Sequence, residues 1–348
     1  MTIDETYMHR CLQLATLGIG NVAPNPMVGA ILVYNDRIIG EGYHKQYGQA
    51  HAEVNCINAV EQEDIPLIPL STMYVSLEPC AHHGKTPPCA NLIIEKKVNK
   101  VVVGCRDPFA KVDGKGIEKL KRAGIEVISG ILEKECKELN KRFFTFHLNK
   151  RPYIILKWAQ TANNKIASSS SERLLITNEF TNRLVHKWRS EEMGILVGTN
   201  TALHDDPEIT NRLWSGKSPV RLVLDMNLRL PQSLKIFNRG QPTILFNLHQ
   251  DKEENNLQYF RFKKDESIVA QILGACFQKN IQSIIVEGGA KLLQTFIDEG
   301  FWDEARVITN TKLYIENGLN APLLKAYKLS HTENIFTDRI DYFFPFIS

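Results

Sequence analysis

Three residues in the first half of the chain have the types and spacing of a catalytic zinc site. His51 opens the run His51-Ala52-Glu53, Cys80 ends Glu78-Pro79-Cys80, and Cys89 follows after eight intervening residues. One imidazole and two thiolates occupy three corners of a zinc tetrahedron and leave the fourth corner for water. Zinc lowers the pKa of bound water to about 7, so hydroxide becomes available near neutral pH. The pattern therefore predicts a hydrolytic reaction at an amidine-like carbon.

The residues around these ligands favour catalysis over a structural role. Glu53 lies two residues beyond His51, close enough to the open corner to transfer a proton without binding the metal. Cys80 follows a strand pattern and a proline, which predicts a position at a helix start that would stabilise its thiolate. The alternative is a closed structural zinc site, which would leave Glu53 without a role. Its fourth ligand would be His82, His83 or Cys56.

Alternating helix and strand patterns position these residues and predict an α/β fold with a partly parallel sheet. An apolar periodicity from Met8 to Ala15 predicts the first helix. The strands expected to follow are residues 28–34, 37–42, 72–77, 101–105 and 126–129. Further helices are expected near residues 53–61, 90–97 and 116–123.

A domain boundary is predicted after Asn149. A charged helix over residues 132–146 runs into Asn149-Lys150-Arg151-Pro152, where the proline discourages further helix. The chain then divides into residues 1–149 and 150–348, and the second part is again α/β. We expect its strands at residues 153–158, 194–197 and 220–224, and a helix at 178–191. Residues 248–267 are polar without a clear period and are expected to form a surface excursion.

The composition excludes several classes of protein. A length of 348 residues is about twice that of one domain. The 42 Lys and Arg against 39 Asp and Glu give a net charge of +3, so we expect no nucleic-acid partner. No apolar run approaches the roughly 18 residues that span a bilayer, and the acidic N-terminus is unlike a signal peptide. Seven cysteines, an odd number, favour thiols or metal ligands over disulfides, so we expect a soluble, cytoplasmic protein without a membrane partner.

The first half resembles the cytidine deaminase superfamily. The motifs that carry the resemblance are, in order, Pro24-Asn25-Pro26-Met27-Val28-Gly29, Gly42-Tyr43-His44, His51-Ala52-Glu53 and Glu78-Pro79-Cys80. Nucleobase deaminases share the His-x-Glu and Pro-Cys order, although two residues usually separate their cysteines. The longer interval here, with Gly84-Lys85-Thr86-Pro87-Pro88 before Cys89, is similar to that of the bifunctional deaminase/reductases of riboflavin biosynthesis. Nearly the whole chain shares this resemblance.

For residues 1–149 the resemblance implies a zinc-dependent pyrimidine deaminase domain with three α/β/α layers. Its substrate would be a diaminopyrimidinone that carries a ribosylamino 5′-phosphate, and ammonia would be released. His51, Cys80 and Cys89 would bind one zinc ion, and Glu53 would transfer protons. The residues that would bind substrate are Asn25, His44, His82 and Lys85. For His82 and Lys85, cationic partners of a phosphate, the alternative is ordinary loop polarity.

The second half contains a strand, a glycine turn and a helix in Ser283 to Leu292. Because Gly288 and Gly289 lack side chains, the backbone there can approach a phosphate that helix N–H groups then bind. A pair of glycines after a strand is more often a tight connection, and the full dinucleotide fingerprint is absent. The resemblance to the reductase domain of the same family comes from this turn together with other motifs in order. These are Leu156-Lys157-Trp158-Ala159, His186-Lys187-Trp188-Arg189, Gly198-Thr199-Asn200-Thr201 and Asp205-Asp206-Pro207-Glu208-Ile209-Thr210-Asn211-Arg212.

For residues 150–348 the resemblance implies a dihydrofolate-reductase-like α/β domain that reduces the ribosyl to the ribityl side chain with NADPH. Copies of the chain would associate through this domain. The residues expected to contact NADP are Ala159, Thr201, Asp205, Gly289, Ala290, Lys291, Leu292, Leu293, Gln294 and Thr295. Those expected to contact substrate are Arg173, Arg189, Ile209, Arg212 and Glu287. The planar guanidinium groups of Arg189 and Arg212 suit a phosphate, and Glu287 would bind sugar hydroxyls.

The chain departs from the family pattern at three places in this half. Thr161-Ala162-Asn163-Asn164 stands where Ser-x-Asp-Gly is usual, Leu175 replaces a tryptophan, and Arg173 stands where serine is expected. Losing a carboxylate and a stacking ring would weaken the positioning of nicotinamide or substrate. One alternative is therefore a zinc-stabilised protein whose second half only binds NADP. The other is a nucleic-acid-editing zinc deaminase with an accessory domain, against which the even charge distribution argues.

Overall fold

The computed structural model describes residues 1–82, 87–109, 112–169 and 174–346. The chain divides into two compact units, Met1–Lys150 and Arg151–Ser348. Within the described ranges, no helix combines the length and the apolar character that crossing a membrane would require. Each unit is built on its own sheet and is described separately below.

The first unit contains a mixed sheet with helices before and between its strands. Its helices are α1 (Ile3–Thr16), α2 (Ala52–Asn58), α3 (Cys89–Glu95), α4 (Lys115–Arg122), α5 (Glu133–Leu139) and α6 (Lys141–Asn149), with a 3₁₀ helix over Gln62–Leu70. Its strands are β1 (Gly29–Tyr34), β2 (Arg37–Tyr43), β3 (Thr72–Leu77), β4 (Lys100–Cys105) and β5 (Glu126–Ser129). The strand order is β2-β1-β3-β4-β5, in which β1 is antiparallel to both neighbours and β3, β4 and β5 are parallel.

Helices cover both faces of this sheet. On one face the buried residues include Met8 of α1 and Cys136 of α5. On the other face they include Cys56 of α2, Ile93 of α3 and Leu120 of α4. Burial of each of the larger apolar side chains stabilises the folded unit by about 1.5–3 kcal/mol. The three-layer α/β/α prediction for this unit is confirmed.

The single helix predicted over residues 132–146 is wrong, because two helices, α5 and α6, meet at Asn140. The Asn140 side chain accepts a hydrogen bond from the backbone N–H of Met27 at 2.8 Å and donates one to the Met27 carbonyl at 2.9 Å. Asn140 is buried, and an amide that pairs with backbone in this way competes with a continuous helix. The interruption therefore ties the segment that carries Asn25 to the junction of the two helices.

The second unit contains a long sheet that is mostly parallel. Its helices are α7 (Glu179–Glu191), α8 (Thr199–Asp205), α9 (Ile268–Gln278) and α10 (Ala290–Asp298), with a 3₁₀ helix over Lys235–Phe237. Its strands are β6 (Tyr153–Thr161), β7 (Lys165–Ser168), β8 (Gly194–Gly198), β9 (Val220–Leu224), β10 (Thr243–Asn247), β11 (Lys252–Glu254), β12 (Leu257–Arg261), β13 (Ser283–Val286), β14 (Glu304–Asn310), β15 (Gly318–Asn320), β16 (Tyr327–Ile335) and β17 (Asp338–Pro345).

The large sheet of this unit is parallel through its centre and antiparallel at its ends. Its order in the described residues is β11-β12-β10-β9-β8-β13-β6-β14-β17-β16, while β7 and β15 pair separately. The strands from β12 to β14 run parallel, and β11, β17 and β16 are antiparallel to their neighbours. Helices α9 and α10 bury Ile272 and Phe296 on one face, and α7 and α8 bury Val185 and Ala202 on the other. The predicted α/β class is confirmed here too.

The surface excursion predicted over residues 248–267 is wrong, because this segment contains strands β11 and β12. Strand β12 pairs in parallel with β10, with Leu257 opposite Thr243. Only Leu257 and Tyr259 of β12 are buried, at alternate positions, while the residues between and after them are partly or fully exposed. Near the edge of a sheet a strand can be held with only two side chains buried. The apolar pattern of such a strand is too short to recognise in the sequence.

Candidate active sites

The three predicted zinc ligands come from three different elements and meet at one point. His51 immediately precedes α2, Cys80 follows the end of β3, and Cys89 is the first residue of α3. Their ligand atoms all lie within 4.8 Å of one another. Nδ1 of His51 is 3.6 Å from Sγ of Cys80 and 3.3 Å from Sγ of Cys89. His51 and Cys80 are 29 residues apart along the chain, and the fold brings the start of α2, the chain after β3 and the start of α3 together.

The chemistry and spacing of these donors fit zinc. Tetrahedral zinc, with bonds of about 2.3 Å to sulfur and 2.0–2.1 Å to nitrogen, places sulfur and nitrogen about 3.6 Å apart. The two measured separations, 3.6 and 3.3 Å, are close to that value. Two thiolates and an imidazole are also a common zinc donor set in enzymes. The residues present therefore suit the metal that the sequence predicts.

The environment of Cys80 favours its thiolate, by a different route from the one predicted. Cys80 does not begin a helix, so that expectation is wrong. The residue at a helix start is Cys89, whose backbone N–H donates a hydrogen bond to Sγ of Cys80 at 3.3 Å. The pKa of the Cys80 thiol lies below its usual range because hydrogen bonds from Cys89 and His51 outweigh the cost of burial.

Among the described residues no fourth protein ligand joins this group. Cys56 lies on the buried side of α2, and its thiol contacts the carbonyl of Gly40 instead. The His82 ring packs against the Phe109 ring, with 5.8 Å between the two ring centroids. His83, the third residue that a closed structural site would use, lies outside the described residues. Within the described part of the chain, the ligand group therefore consists of His51, Cys80 and Cys89.

Glu53 is buried in the first turn of α2 beside the ligand group. Glu53 is 3% exposed, and its carboxylate forms no ion pair with a described residue. Burial, and next the charge of Cys80, raise the pKa of Glu53 to about 7. A carboxyl with this pKa exchanges a proton readily near neutral pH, which is the property that general acid–base catalysis requires.

Asn25 and His44, both predicted to hold the substrate ring, contact each other next to His51. Nδ1 of His44 lies 3.0 Å from the carbonyl of Ala50, so Nδ1 carries the ring proton and donates it. Nε2 then accepts a hydrogen bond from the Asn25 amide at 3.1 Å. Burial lowers the pKa of His44, which keeps the ring neutral, and its ring lies 5.3 Å from that of His51. The pair is therefore oriented before any ligand binds.

The loop between the two cysteines is only partly described. Lys85, predicted to meet a phosphate, lies outside the described residues, so the structure describes no contact for it. His82 is partly buried, and its Nδ1 atom is buried without a hydrogen-bond partner among the described residues. An unsatisfied nitrogen at this position is consistent with a role in binding, because a buried polar atom without a partner is costly.

Glu78 is a residue whose role the sequence does not show. Its carboxylate is buried and accepts hydrogen bonds from four backbone N–H groups. Oε1 accepts from Gly116 at 2.9 Å and Ile117 at 3.2 Å, and Oε2 accepts from Gly114 at 2.9 Å and Asp107 at 3.3 Å. Glu78 therefore caps α4, which has no side-chain cap of its own. A side chain at Gly116 would place Cβ 1.9 Å from the carbonyl oxygen of Pro79, so only glycine fits there.

Replacing Glu78 with Gln is expected to lower the stability of the first unit by about 2–4 kcal/mol. The amide keeps one acceptor oxygen and turns its NH₂ group toward two of the N–H donors, and each unsatisfied buried donor costs about 1–3 kcal/mol. Chemical denaturation followed by tyrosine fluorescence and circular dichroism measures the change, because the first unit contains tyrosines and no tryptophan. Glu95, which is exposed at the end of α3, provides the control variant Glu95→Gln. Equal stabilities of the two variants would contradict the assigned role of Glu78.

Glu287 forms the centre of a buried ionic cluster in the second unit. Its carboxylate pairs with Arg189 through two hydrogen bonds of 2.7 Å and lies 3.5 Å from Nζ of Lys157. Burial alone would raise the pKa of Glu287, but the charges of Arg189 and Lys157 outweigh it and lower the pKa to about 2. Lys157 stands in the motif Leu156-Lys157-Trp158-Ala159, and the sequence predicts no role for it. A lysine within the apolar strand Tyr153–Thr161 is the signal that could have identified it.

The glycine turn after β13 approaches the start of α8. Gly289 has a φ of +68°, and a Cβ at Gly288 would lie 3.0 Å from the Val197 backbone and 3.1 Å from Oγ1 of Thr201. Thr201 and the turn are therefore adjacent, as a shared cofactor contact requires. Gly289 gives α10 no side-chain cap, so the first N–H groups of that helix suit a phosphate. The turn therefore suits a phosphate group of NADP, which is the kind of group that the sequence predicts it to bind.

The remaining predicted cofactor residues differ in what they can offer. Leu292 and Leu293 are buried in the core, so only their backbone could meet a ligand. Gln294 exchanges hydrogen bonds with the backbone of Leu323, and the Thr295 hydroxyl donates to the carbonyl of Lys291. Ala159 is partly buried on β6, and Asp205 is exposed at the end of α8. The contacts of all of them with NADP stay predictions.

The substrate residues of the second unit cluster around α7. Arg212 is half-exposed and donates to the Thr210 hydroxyl at 2.8 Å, and Ile209 is buried with a φ of +49°. Arg173 lies outside the described residues.

Two of the departures from the family pattern lie in the described residues. Leu175 is 76% exposed, and the Asn163 side-chain amide donates a hydrogen bond to the carbonyl of Ile315.

Two protein families match the two halves of the chain. Residues 1–105 match the cytidine and deoxycytidylate deaminase zinc-binding region. Residues 152–314 match the RibD C-terminal domain. The first match covers all three predicted zinc ligands and Glu53, and the second covers the ionic cluster and the glycine turn.

Relatives and solved structures match the chain over most of its length. The riboflavin biosynthesis protein RibD of Aquifex aeolicus is 39% identical over 322 residues, which cover 89% of this chain and 88% of that protein. The RibD protein of Escherichia coli is 33% identical over 329 residues. A crystal structure of a diaminohydroxyphosphoribosylaminopyrimidine deaminase/5-amino-6-(5-phosphoribosylamino)uracil reductase from Thermotoga maritima superposes with a TM-score of 0.89, at 35% identity and 98% coverage of both chains.

These matches cover both halves at once, which does not favour a nucleic-acid-editing zinc deaminase with an accessory domain. They also account for both predicted cofactors, since a zinc-binding deaminase region is joined to a reductase domain that uses NADPH. The protein is therefore an enzyme that acts on small molecules and is both a hydrolase and an oxidoreductase. It belongs to the RibD family of bifunctional riboflavin biosynthesis enzymes.

Proposed function

We propose that residues 1–149 form the deaminase domain and residues 150–348 the reductase domain of a two-step enzyme. The first step hydrolyses 2,5-diamino-6-ribosylamino-4(3H)-pyrimidinone 5′-phosphate and releases ammonia. The second step reduces the ribosyl group of the product to a ribityl chain with NADPH. The observation that carries this proposal is the convergence of His51, Cys80 and Cys89 beside the buried Glu53. The name of the Thermotoga maritima protein, which states both activities, supports it.

In the deaminase domain, His51, Cys80 and Cys89 would hold zinc. When bound, zinc supplies a Lewis acid that activates water for attack. Glu53 would accept a proton from the attacking water and deliver it to the amine, which leaves as ammonia when the C–N bond breaks. Its pKa of about 7 suits both directions of transfer. Asn25 and the neutral His44 would hold the pyrimidine ring, and His82 and Lys85 the phosphate.

In the reductase domain, NADPH supplies the hydride, so the protein's part is alignment and charge placement. The ionised Glu287, paired with Arg189, would meet the sugar hydroxyls, and Arg189 would face the substrate phosphate. Arg212 would bind the substrate phosphate, and Ile209 and Arg173 would also contact the substrate. Thr201, Asp205 and the backbone from Gly289 onward would bind NADP.

A two-stage assay tests this function. Zinc-replete protein with the diaminopyrimidinone phosphate should release one ammonia per substrate without NADPH, and adding NADPH should then start its oxidation. Ammonia release without NADPH oxidation would contradict the reductase half and favour a domain that only binds NADP. Absence of ammonia release would contradict the deaminase half.

Three predictions from the sequence accompany the proposal and stay predictions. They are a cytoplasmic location, association of copies through the reductase domain, and the absence of a nucleic-acid partner. The second is measured by light scattering of the purified protein. The third is measured by RNA binding at low salt, where any electrostatic association would be strongest.

A further inference from the structure

His186 lies between the two arginines proposed to contact substrate in the reductase domain. It is on α7, one turn before Arg189, and its side chain is 1% exposed. Its Nδ1 atom accepts a hydrogen bond from the backbone N–H of Arg212 at 2.9 Å, and its Nε2 atom lies 3.4 Å from Nη1 of Arg189. One ring therefore contacts both arginines without pointing to solvent.

The hydrogen bonds determine which nitrogen of His186 carries the proton. A backbone N–H can only donate, so Nδ1 must be unprotonated. Burial, and next the charges of Arg189 and Arg212, lower the pKa of His186 to about 4, so the ring is neutral and its proton is on Nε2. Nε2 and the Arg189 guanidinium then both carry hydrogens, so their 3.4 Å contact is not a hydrogen bond. The hydrogen bond that joins His186 to the backbone of Arg212 is the one at Nδ1.

The loop that His186 holds has a strained backbone. Ile209 has a φ of +49°, which is unfavourable for a β-branched residue, and its side chain is buried with Val185 and Trp188 of α7. Such a conformation persists only where several contacts hold it. Two of these contacts come from one face of α7: His186 with the N–H of Arg212, and Nη1 of Arg189 with the carbonyl of Thr210 at 3.3 Å.

Releasing one of these contacts would affect Arg212 first. The Arg212 guanidinium is half-exposed and is oriented by the Thr210 hydroxyl at 2.8 Å and by Glu208 at 3.1 Å. The bond to His186 holds the backbone of the same residue. Without it, the loop could relax from the strained conformation and carry the guanidinium away from its present position.

We propose that His186 is a positioning residue of the reductase, which holds the backbone of Arg212 so that its guanidinium meets the substrate phosphate. The inference rests on the proposed function, because that function supplies the phosphate. His186 contacts no reacting atom in this role. Its effect should appear in the affinity for the phosphate and not in the hydride transfer itself.

Two variants separate the acceptor atom from the rest of the ring. In His186→Asn the amide oxygen occupies the position of Nδ1 and can still accept from the N–H of Arg212, whereas His186→Leu has similar volume and no acceptor. The assay is steady-state NADPH oxidation with 5-amino-6-(5-phosphoribosylamino)uracil and with its dephosphorylated form. We expect His186→Leu to raise KM for the phosphorylated substrate about 10-fold, the size expected for one lost hydrogen bond, with kcat within about 3-fold. His186→Asn should keep KM within about 3-fold of the wild type.

The dephosphorylated substrate distinguishes positioning from general damage. Wild type and His186→Leu should have the same KM for it, because the phosphate contact is missing in both. NADP affinity, measured by fluorescence, should be equal in all variants and reports that the domain is folded. The exposed His249 provides a matched control, and His249→Leu should behave as the wild type. If His186→Leu loses NADP binding, His186→Gln replaces it, since its amide oxygen lies at the Nε2 position and cannot reach the N–H of Arg212.

Each failure has a distinct signature. If the wild type reduces neither substrate, or has the same KM for both, the proposed function or its phosphate contact fails. If the wild type distinguishes the substrates but His186→Leu keeps its KM, the inference alone is overturned. It is also overturned if His186→Asn is as impaired as His186→Leu, or if KM rises equally for both substrates.

Discussion

Replacing Glu53 with Gln should lower the rate of ammonia release by about 10²- to 10⁴-fold, the range attributed to general acid–base catalysis. The amide has nearly the same size as the carboxyl but cannot accept and return a proton. Glu53 is buried in the first turn of α2, two residues beyond His51, and is not among the three clustered ligands. The variant should therefore retain one zinc per chain, measured by mass spectrometry of the metal.

The control for Glu53→Gln is Glu61→Gln, because Glu61 is exposed just beyond α2. That variant should release ammonia at the wild-type rate. The reductase step, started from the deaminated substrate, should be the same in both variants and in the wild type. Full deaminase activity in a zinc-replete Glu53→Gln protein would contradict the assigned proton transfer.

Replacing Cys89 with Ala should remove zinc and reduce deamination by at least about 10³-fold, since a Lewis acid supplies several kcal/mol of transition-state stabilisation. Two of three protein ligands would remain, which is too few to retain the metal during purification. NADPH oxidation with the deaminated substrate should continue, because the ionic cluster and glycine turn belong to the other unit. The measurements are metal content and both half-reactions.

Cys56 offers a matched control, because its thiol is also buried but contacts the carbonyl of Gly40 instead of the ligand group. Cys56→Ala should keep one zinc and the wild-type rate of ammonia release. A Cys89→Ala protein with full zinc content would show that other residues hold the metal. Zinc loss from Cys56→Ala would point to a closed site that includes this thiol.

The strands were predictable where apolar residues run together between polar turns. Strands β3 and β9 coincide with the predicted residues 72–77 and 220–224. Both lie in the interior of a sheet, with a neighbour on each side, so nearly every residue contributes to the pattern. Strand β12 was missed because only Leu257 and Tyr259 are buried near the sheet edge.

Errors also arose where a contact distant in sequence decides the local structure. Helical periodicity continues through Asn140, yet the pairing of its amide with the Met27 backbone interrupts the helix. The partner is 113 residues away, and no local pattern reports it. Cys80 is a different case: a strand pattern and a proline before it predict a helix start, but the helix begins at Cys89, whose N–H bonds to the Cys80 sulfur.

In the candidate sites, too, local patterns were predictable and contacts with distant residues were not. His51, Glu53, Cys80 and Cys89 could be proposed from the sequence because the residue types and their order are restrictive. Glu78 stands beside Cys80 in the motif Glu78-Pro79-Cys80, but its four backbone partners lie on a loop and helix after β4, so its role can be recognised only from the fold. Residues that act by contact with distant backbone, as we propose for His186, are recognisable only once those contacts are known.

The most direct test of the open zinc site is a crystal structure of the purified protein with an anomalous difference map at the zinc edge. We predict one peak, which marks a zinc ion bound by Nδ1 of His51, Sγ of Cys80 and Sγ of Cys89, with a solvent molecule in the fourth position. A fourth protein atom bound to the metal, or no peak among these three residues, would contradict the hydrolytic site and with it the deaminase function.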